Sequence, residues 1–134
     1  MVKNYDESIH FYDETFKLLG YERTMNLEIP KPNSNEKLRF GGYGKKGAIE
    51  PSFWISNNTE YPNEEIGKAA GLHFAFRAPN IEAIHQWHQK CIELGGKDNG
   101  KPGPRKQYHA GYYGAFIIDP NGWRIEALID NYKE

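Results

Sequence analysis

Two helical stripes with one shared spacing constrain this chain more than any other feature. Between Glu7 and Leu19, the residues Ile9, Tyr12, Phe16 and Leu19 recur at steps of three, four and three, which builds one apolar helix face that Gly20 ends. Ile84, Trp87, Cys91 and Leu94 repeat those steps, with Asn80 as N-cap, Glu82 in the positive first turn, and Gly95 and Gly96 as the stop. Phe11 with Trp87, Leu18 with Leu94 and Gly20 with Gly96 are each 76 residues apart. A constant offset across a whole element marks an internal repeat, so the chain reads as two copies of one supersecondary unit.

The other apolar stretches alternate with period two, the signature of strands. Leu72, Phe74, Phe76 and Ala78 share one face, and His73, Ala75 and Arg77 the other. Tyr112 to Ile118 and Arg124 to Ile129 are two strands joined into a hairpin by Asp119-Pro120-Asn121-Gly122. Tyr21 to Leu27, Lys37 to Tyr43 and Ser52 to Ser56 are weaker strands, and the polar stretch around Pro62 is a linker. The halves match in order, a helix and then three strands, and the strand at 71–78 precedes the second helix, so the second half reads βαβββ. In the first half, the counterpart of the strand at 71–78 is expected to fall almost wholly before Met1. The expected architecture is α+β: two tandem βαβββ modules forming a curved mixed sheet, with the first strand of the first module mostly missing. This is one domain over 1–134, with halves 1–57 and 71–134 and a linker at 58–70.

Composition narrows the function classes. Seventeen basic and eighteen acidic residues leave a net charge of −1, too little positive field for dedicated nucleic-acid binding. The single cysteine excludes an internal disulfide framework. The start MVKNYDESIH has no apolar core of the signal-peptide kind, so a reducing cytoplasm is expected. Apolar runs of four residues or so, such as Ala115 to Ile118, fall far short of the roughly 20 that a membrane span needs.

The repeat together with particular segments resembles the vicinal oxygen chelate superfamily, which includes glyoxalase I, extradiol dioxygenases and bleomycin-resistance proteins. Those segments are Ser8-Ile9-His10-Phe11-Tyr12 leading to Leu18-Leu19-Gly20-Tyr21, then Phe53-Trp54-Ile55, then Gly71-Leu72-His73-Phe74-Ala75-Phe76. Tyr113 to Gly122, running into Ile125-Glu126-Ala127, completes the set. The resemblance covers almost the whole chain and implies the fold above, while function depends on the site.

In metal-dependent members, the ligands come from the first and last strands of each half. By resemblance, His73 and Glu126 are the metal-ligating and catalytic pair, and they would hold a divalent Zn, Ni, Mn or Fe that polarises a substrate oxygen. The matching first-half positions supply no ligand. One falls before Met1. At the other, strand alternation puts Trp54 opposite Glu126, and a strict 76-residue offset would put Glu50 there instead. Any metal is therefore expected to be weak or absent unless His109 or a group from a partner subunit completes the set.

Two readings of Glu126 and His73 stay open: a metal site, or a carboxylate and imidazole that act as a general base. Glu126 between two apolar residues needs a partner, whether a metal, Arg124 or His73. The segment from Lys101 to Tyr113 reads as a shaped substrate-side loop. Arg105, Tyr108, His109 and Tyr112 in it are candidates for pairing with an anion and stacking on a planar ligand, against the plainer reading of a solvated loop over the core. Trp54 is either an aromatic cavity floor or core packing. His85 and His88 read as solvated histidines on a helix, and Cys91 as a small buried hydrophobe.

The functional expectation is a glyoxalase-like protein: a metal-dependent lyase, isomerase or dioxygenase acting on a small oxygenated molecule, or a metal-free binding protein of the bleomycin-resistance type. Its expected partners are a small-molecule ligand and a second copy of the chain in a homodimer, with no nucleic acid and no membrane.

Overall fold

The computed structural model describes residues 1–57 and 72–134, so the expected linker at 58–70 lies outside the described residues. The chain divides into two compact units, Met1–Glu64 and Glu65–Glu134.

In the first unit, α1 (Tyr5–Phe16) is followed by a short 3-10 turn, Lys17–Leu19, and by β1 (Tyr21–Pro30), β2 (Lys37–Lys45) and β3 (Phe53–Ser56). The strands form an antiparallel sheet in the order β1-β2-β3. The Asn4 carboxamide accepts from the Glu7 backbone N–H at 3.1 Å and starts the helix. The 3-10 turn ends at Gly20, whose φ of 81° lies in the left-handed region that glycine enters without steric cost.

The buried face of α1 is Tyr5, Ser8, Phe11, Tyr12, Thr15 and Phe16. This corrects the expected stripe: Ile9 is only half-buried. The face is rotated because Tyr12 and Phe16 turn toward Tyr43 and Phe53 of the sheet, with ring centroids 5.4–6.2 Å apart. The pairs Met25–Gly42, Leu27–Phe40, Ile29–Leu38 and Gly42–Trp54 lie on the opposite sheet face.

In the second unit, β4 (Phe74–Arg77) precedes α2 (Ile81–Glu93), β5 (Lys97–Pro104), β6 (Tyr113–Ile118) and β7 (Arg124–Ile129). The sheet order is β4-β7-β6-β5, with β4 parallel to β7 and the other pairs antiparallel. Asn80 caps α2 as expected, its carboxamide accepting from Ala83 N at 2.8 Å. Ala83, Ile84, Trp87 and Cys91 form the buried face of α2.

The β6–β7 turn is tied by one carboxylate. Oδ1 of the buried Asp119 accepts the backbone N–H groups of Asn121, Gly122 and Trp123 at 2.9, 2.9 and 2.7 Å. Gly122, at φ 107°, again supplies the positive φ that the turn requires. The sequence drew a loop from Lys101 onward, but residues 101–104 complete β5, whose register against β6 shifts twice.

The two units repeat at the level of hydrogen bonds. Val2 N donates to Ser56 O at 2.9 Å, and Ala78 N donates to Leu128 O at 2.8 Å. Val2 and Ala78, like the caps Asn4 and Asn80, are 76 residues apart, whereas Ser56 and Leu128 are 72 apart. Turn lengths therefore differ between the copies, and the last strands align Trp54, not Glu50, with Glu126.

No helix among the described residues is long and apolar enough to cross a membrane.

Candidate functional site

The face of the second sheet opposite α2 carries the polar cluster. Tyr113 turns toward the helix and bonds His85 Nε2 at 2.8 Å, so alternation along β6 sends Tyr112 and Phe116 to the other face. Register pairs Phe116 with Glu126 and Ala75 with Glu126, which puts His73 and Arg77, two residues either side of Ala75, on that face as well.

Glu126 is 2% exposed, and both of its carboxylate oxygens are engaged. His73 Nε2 lies 3.0 Å from Oε2, and the Tyr112 hydroxyl donates to Oε1. A buried carboxylate is costly unless paired and hydrogen-bonded, and here an imidazole and a phenol share that task. Burial, and then the bond to Glu126, raise the pKa of the Tyr112 phenol above its ordinary value, while the charge of Arg77 pulls it back down. Tyr112 is thus a protonated donor at neutral pH. With the carboxylate as acceptor, His73 carries its proton on Nε2, which makes Nδ1 the acceptor atom of the ring. The ring of His73, whose side chain is 44% exposed, stands edge-on to Phe116 at 6.2 Å.

The other expected contacts sit around this cluster. Tyr108 and His109 pack edge-on against Tyr112 at 5.1 and 5.4 Å. Nδ1 of His109 accepts from Gly111 N at 3.1 Å. Arg105 lies 5.6 Å from the Phe116 ring centroid and donates to the carbonyls of Lys101 at 2.6 Å and Pro104 at 3.2 Å. Trp54 belongs to the first unit, where it is 42% exposed on the sheet face away from α1.

Two expectations change. His85 and His88 are not simply solvated, since one bonds Tyr113 and the other lies 3.0 Å from Asp98. Glu126, which was expected to need a metal, Arg124 or His73, takes His73 and Tyr112. Sequence reasoning missed that second partner, and it missed Arg77, which pairs with Asp130 at 2.7 Å on the same face. The alternation that placed His73 also placed Arg77, so the signal for it was present.

The donors test poorly as a metal centre. A catalytic zinc-type site takes three protein ligands and an open position. Among the described residues, no group of three or more His, Cys, Asp or Glu side chains could hold a metal ion. His73 and Glu126 supply two ligands that are already bonded to each other, and His109 does not join them. The arrangement suits hydrogen bonding and proton transfer.

The family model for the Glyoxalase/Bleomycin resistance protein/Dioxygenase superfamily matches residues 1–127. Among solved structures, a glyoxalase/bleomycin resistance protein from Albidiferax ferrireducens T118 superposes with a TM-score of 0.67 at 23% identity, over 95% of this chain and 91% of that one. A mutant of glyoxalase I from Zea mays gives 0.68 at 24% identity over 96% of this chain, which spans only 43% of the maize protein. A glyoxalase-related enzyme from Fulvimarina pelagi gives 0.59 at 16% identity, over 95% and 81%. These likenesses show the fold alone, and no protein of curated function matches significantly. The match across residues 1–127, on a chain built from two α+β units with matching caps and strand pairings, makes it a member of the Glyoxalase/Bleomycin resistance protein/Dioxygenase superfamily.

Proposed function

We propose that the chain binds a small oxygenated molecule at the His73–Glu126–Tyr112 cluster, and that His73 accepts a proton from it. One observation carries this reading: a carboxylate 2% exposed whose two oxygens are held by an imidazole and a phenol. Glu126 fixes the ring tautomer and stands opposite the positive charge that forms when the ring is protonated. The proton moves from a ligand hydroxyl to His73 Nδ1, leaving a ligand oxyanion. Phe116, beside His73, offers an aromatic wall to a planar ligand.

The metal-dependent lyase, isomerase or dioxygenase expected from the sequence would need donors beyond these two. The metal-free reading is favoured by the way Glu126 spends both of its oxygens.

The test uses protein purified without a metal-affinity tag and treated with chelator, titrated with the neutral phenol methyl 4-hydroxybenzoate by NMR. Binding is expected to persist after chelation and to weaken at least tenfold in His73→Ala. Added Ni, Zn, Mn or Fe is expected to leave the melting temperature unchanged. Binding that appears only with a stoichiometric metal would overturn the reading.

The expected homodimer belongs to the same reading. Its support is the face of β1–β3 away from α1, where Leu27, Ile29 and Trp54 are exposed. A concentration-independent monomer mass in light scattering would count against it.

A further inference from the structure

Arg77 stands on the cluster's own sheet face. Register sets it beside Leu128, two residues along from the Ala75–Glu126 pair, which is about 6.6 Å of strand. Its charge reaches Tyr112, whose phenol it pulls back against the effects of burial and Glu126. Its guanidinium meets Asp130 at 2.7 Å, in a pair whose side chains are 60% and 42% exposed. Exposed pairs of this kind contribute little to stability and exchange partners readily.

Asp130 holds a carboxylate against Arg77 at the rim of the cluster, in the place a ligand carboxylate would take. Arg105, by contrast, has guanidinium N–H groups directed at the carbonyls of Lys101 and Pro104. A planar guanidinium grips a carboxylate through two parallel hydrogen bonds, a geometry that a neutral ester does not reproduce.

We propose that Arg77 is the specificity-determining residue of this site, and that the ligand is a small hydroxylated carboxylic acid. Its hydroxyl meets His73 Nδ1, and its carboxylate displaces Asp130 from Arg77. This rests on the His73–Glu126–Tyr112 reading above and adds the class of molecule. A para-substituted ring is the simplest probe, because it carries hydroxyl and carboxylate at opposite ends while His73 and Arg77 lie four residues apart.

The test compares 4-hydroxybenzoate with its methyl ester on the full chain, by NMR titration or calorimetry at fixed ionic strength. The acid is expected to bind at least tenfold more tightly than the ester. Arg77→Gln is expected to erase that preference, and Arg77→Lys to keep a reduced one. Arg77 lies on the edge strand with an exposed side chain, and unchanged melting would confirm that its variants fold.

Equal affinities for acid and ester, or a preference that survives Arg77→Gln, overturn this inference. The parent reading stands in that case provided the ester binds and His73→Ala weakens it. If neither compound binds, that reading fails and this one fails with it.

Discussion

Glu126→Gln is expected to weaken binding of methyl 4-hydroxybenzoate at least tenfold while changing folding stability by no more than about 1 kcal/mol. The amide keeps the volume of the side chain and an oxygen that still accepts from Tyr112. It removes the charge opposite His73, so the ring loses the partner that sets its tautomer and offsets its protonation. Glu126→Leu sharpens the contrast. It leaves the Tyr112 hydroxyl and the His73 N–H without their acceptor, so this variant is expected to lose about 1–3 kcal/mol of stability as well as ester binding. Calorimetry on both variants checks the pair of effects. A loss of stability with binding preserved would make Glu126 a structural residue.

Trp87→Ala is expected to destabilise the protein by about 3–5 kcal/mol and to lower the melting temperature by roughly 10–20 °C. Trp87 is 1% exposed on the buried face of α2, beside Ile84 and Cys91, which are fully buried. Its removal opens a cavity that a helix packed across a sheet closes only in part. The loss is a large share of the 5–15 kcal/mol that ordinary domains possess. Trp87→Phe is expected to lose less than about 2 kcal/mol, because the indole Nε1 it removes is buried without a hydrogen-bond partner among the described residues. Denaturant unfolding monitored by circular dichroism measures both. A loss below 1 kcal/mol for Trp87→Ala would mean that α2 is not held by this side chain.

What the sequence made legible follows from which forces leave a periodic trace. Both helices carry one, and so do β6 and β7, which bury one face against α2. β5 was implied by the repeat but not located, because Lys97–Pro104 is mostly exposed and shifts register twice against β6, so no apolar alternation is written into it. Its Pro and Gly residues therefore read as loop. Ile9 fits the helical step of α1, yet the helix is rotated by the demands of the aromatic cluster at Tyr43 and Phe53, a tertiary fact.

Half of the candidate site was equally legible. Period two along 72–78 puts His73 and Arg77 on one face, and alternation in β7 singles out Glu126 between apolar neighbours. The hydroxyl of Tyr112 on Glu126 needs the β6–β7 register, which no local pattern encodes. Arg105 drew attention through its unusual segment. Its hydrogen bonds to Lys101 and Pro104 are a local loop geometry that composition does not reveal.

The central claim is that His73, fixed by a buried carboxylate, is the proton acceptor for a ligand without help from a metal. The most direct measurement is imidazole nitrogen NMR of chelator-treated protein, with the His73 signal assigned by its absence in His73→Ala, with and without methyl 4-hydroxybenzoate. The account predicts a ring that carries its proton on Nε2 in the free protein, and a change centred on Nδ1 when the ester binds. That pattern should disappear in Glu126→Gln. A ring protonated at Nδ1, or one whose signals ignore the ester while binding is plainly observed, would contradict it.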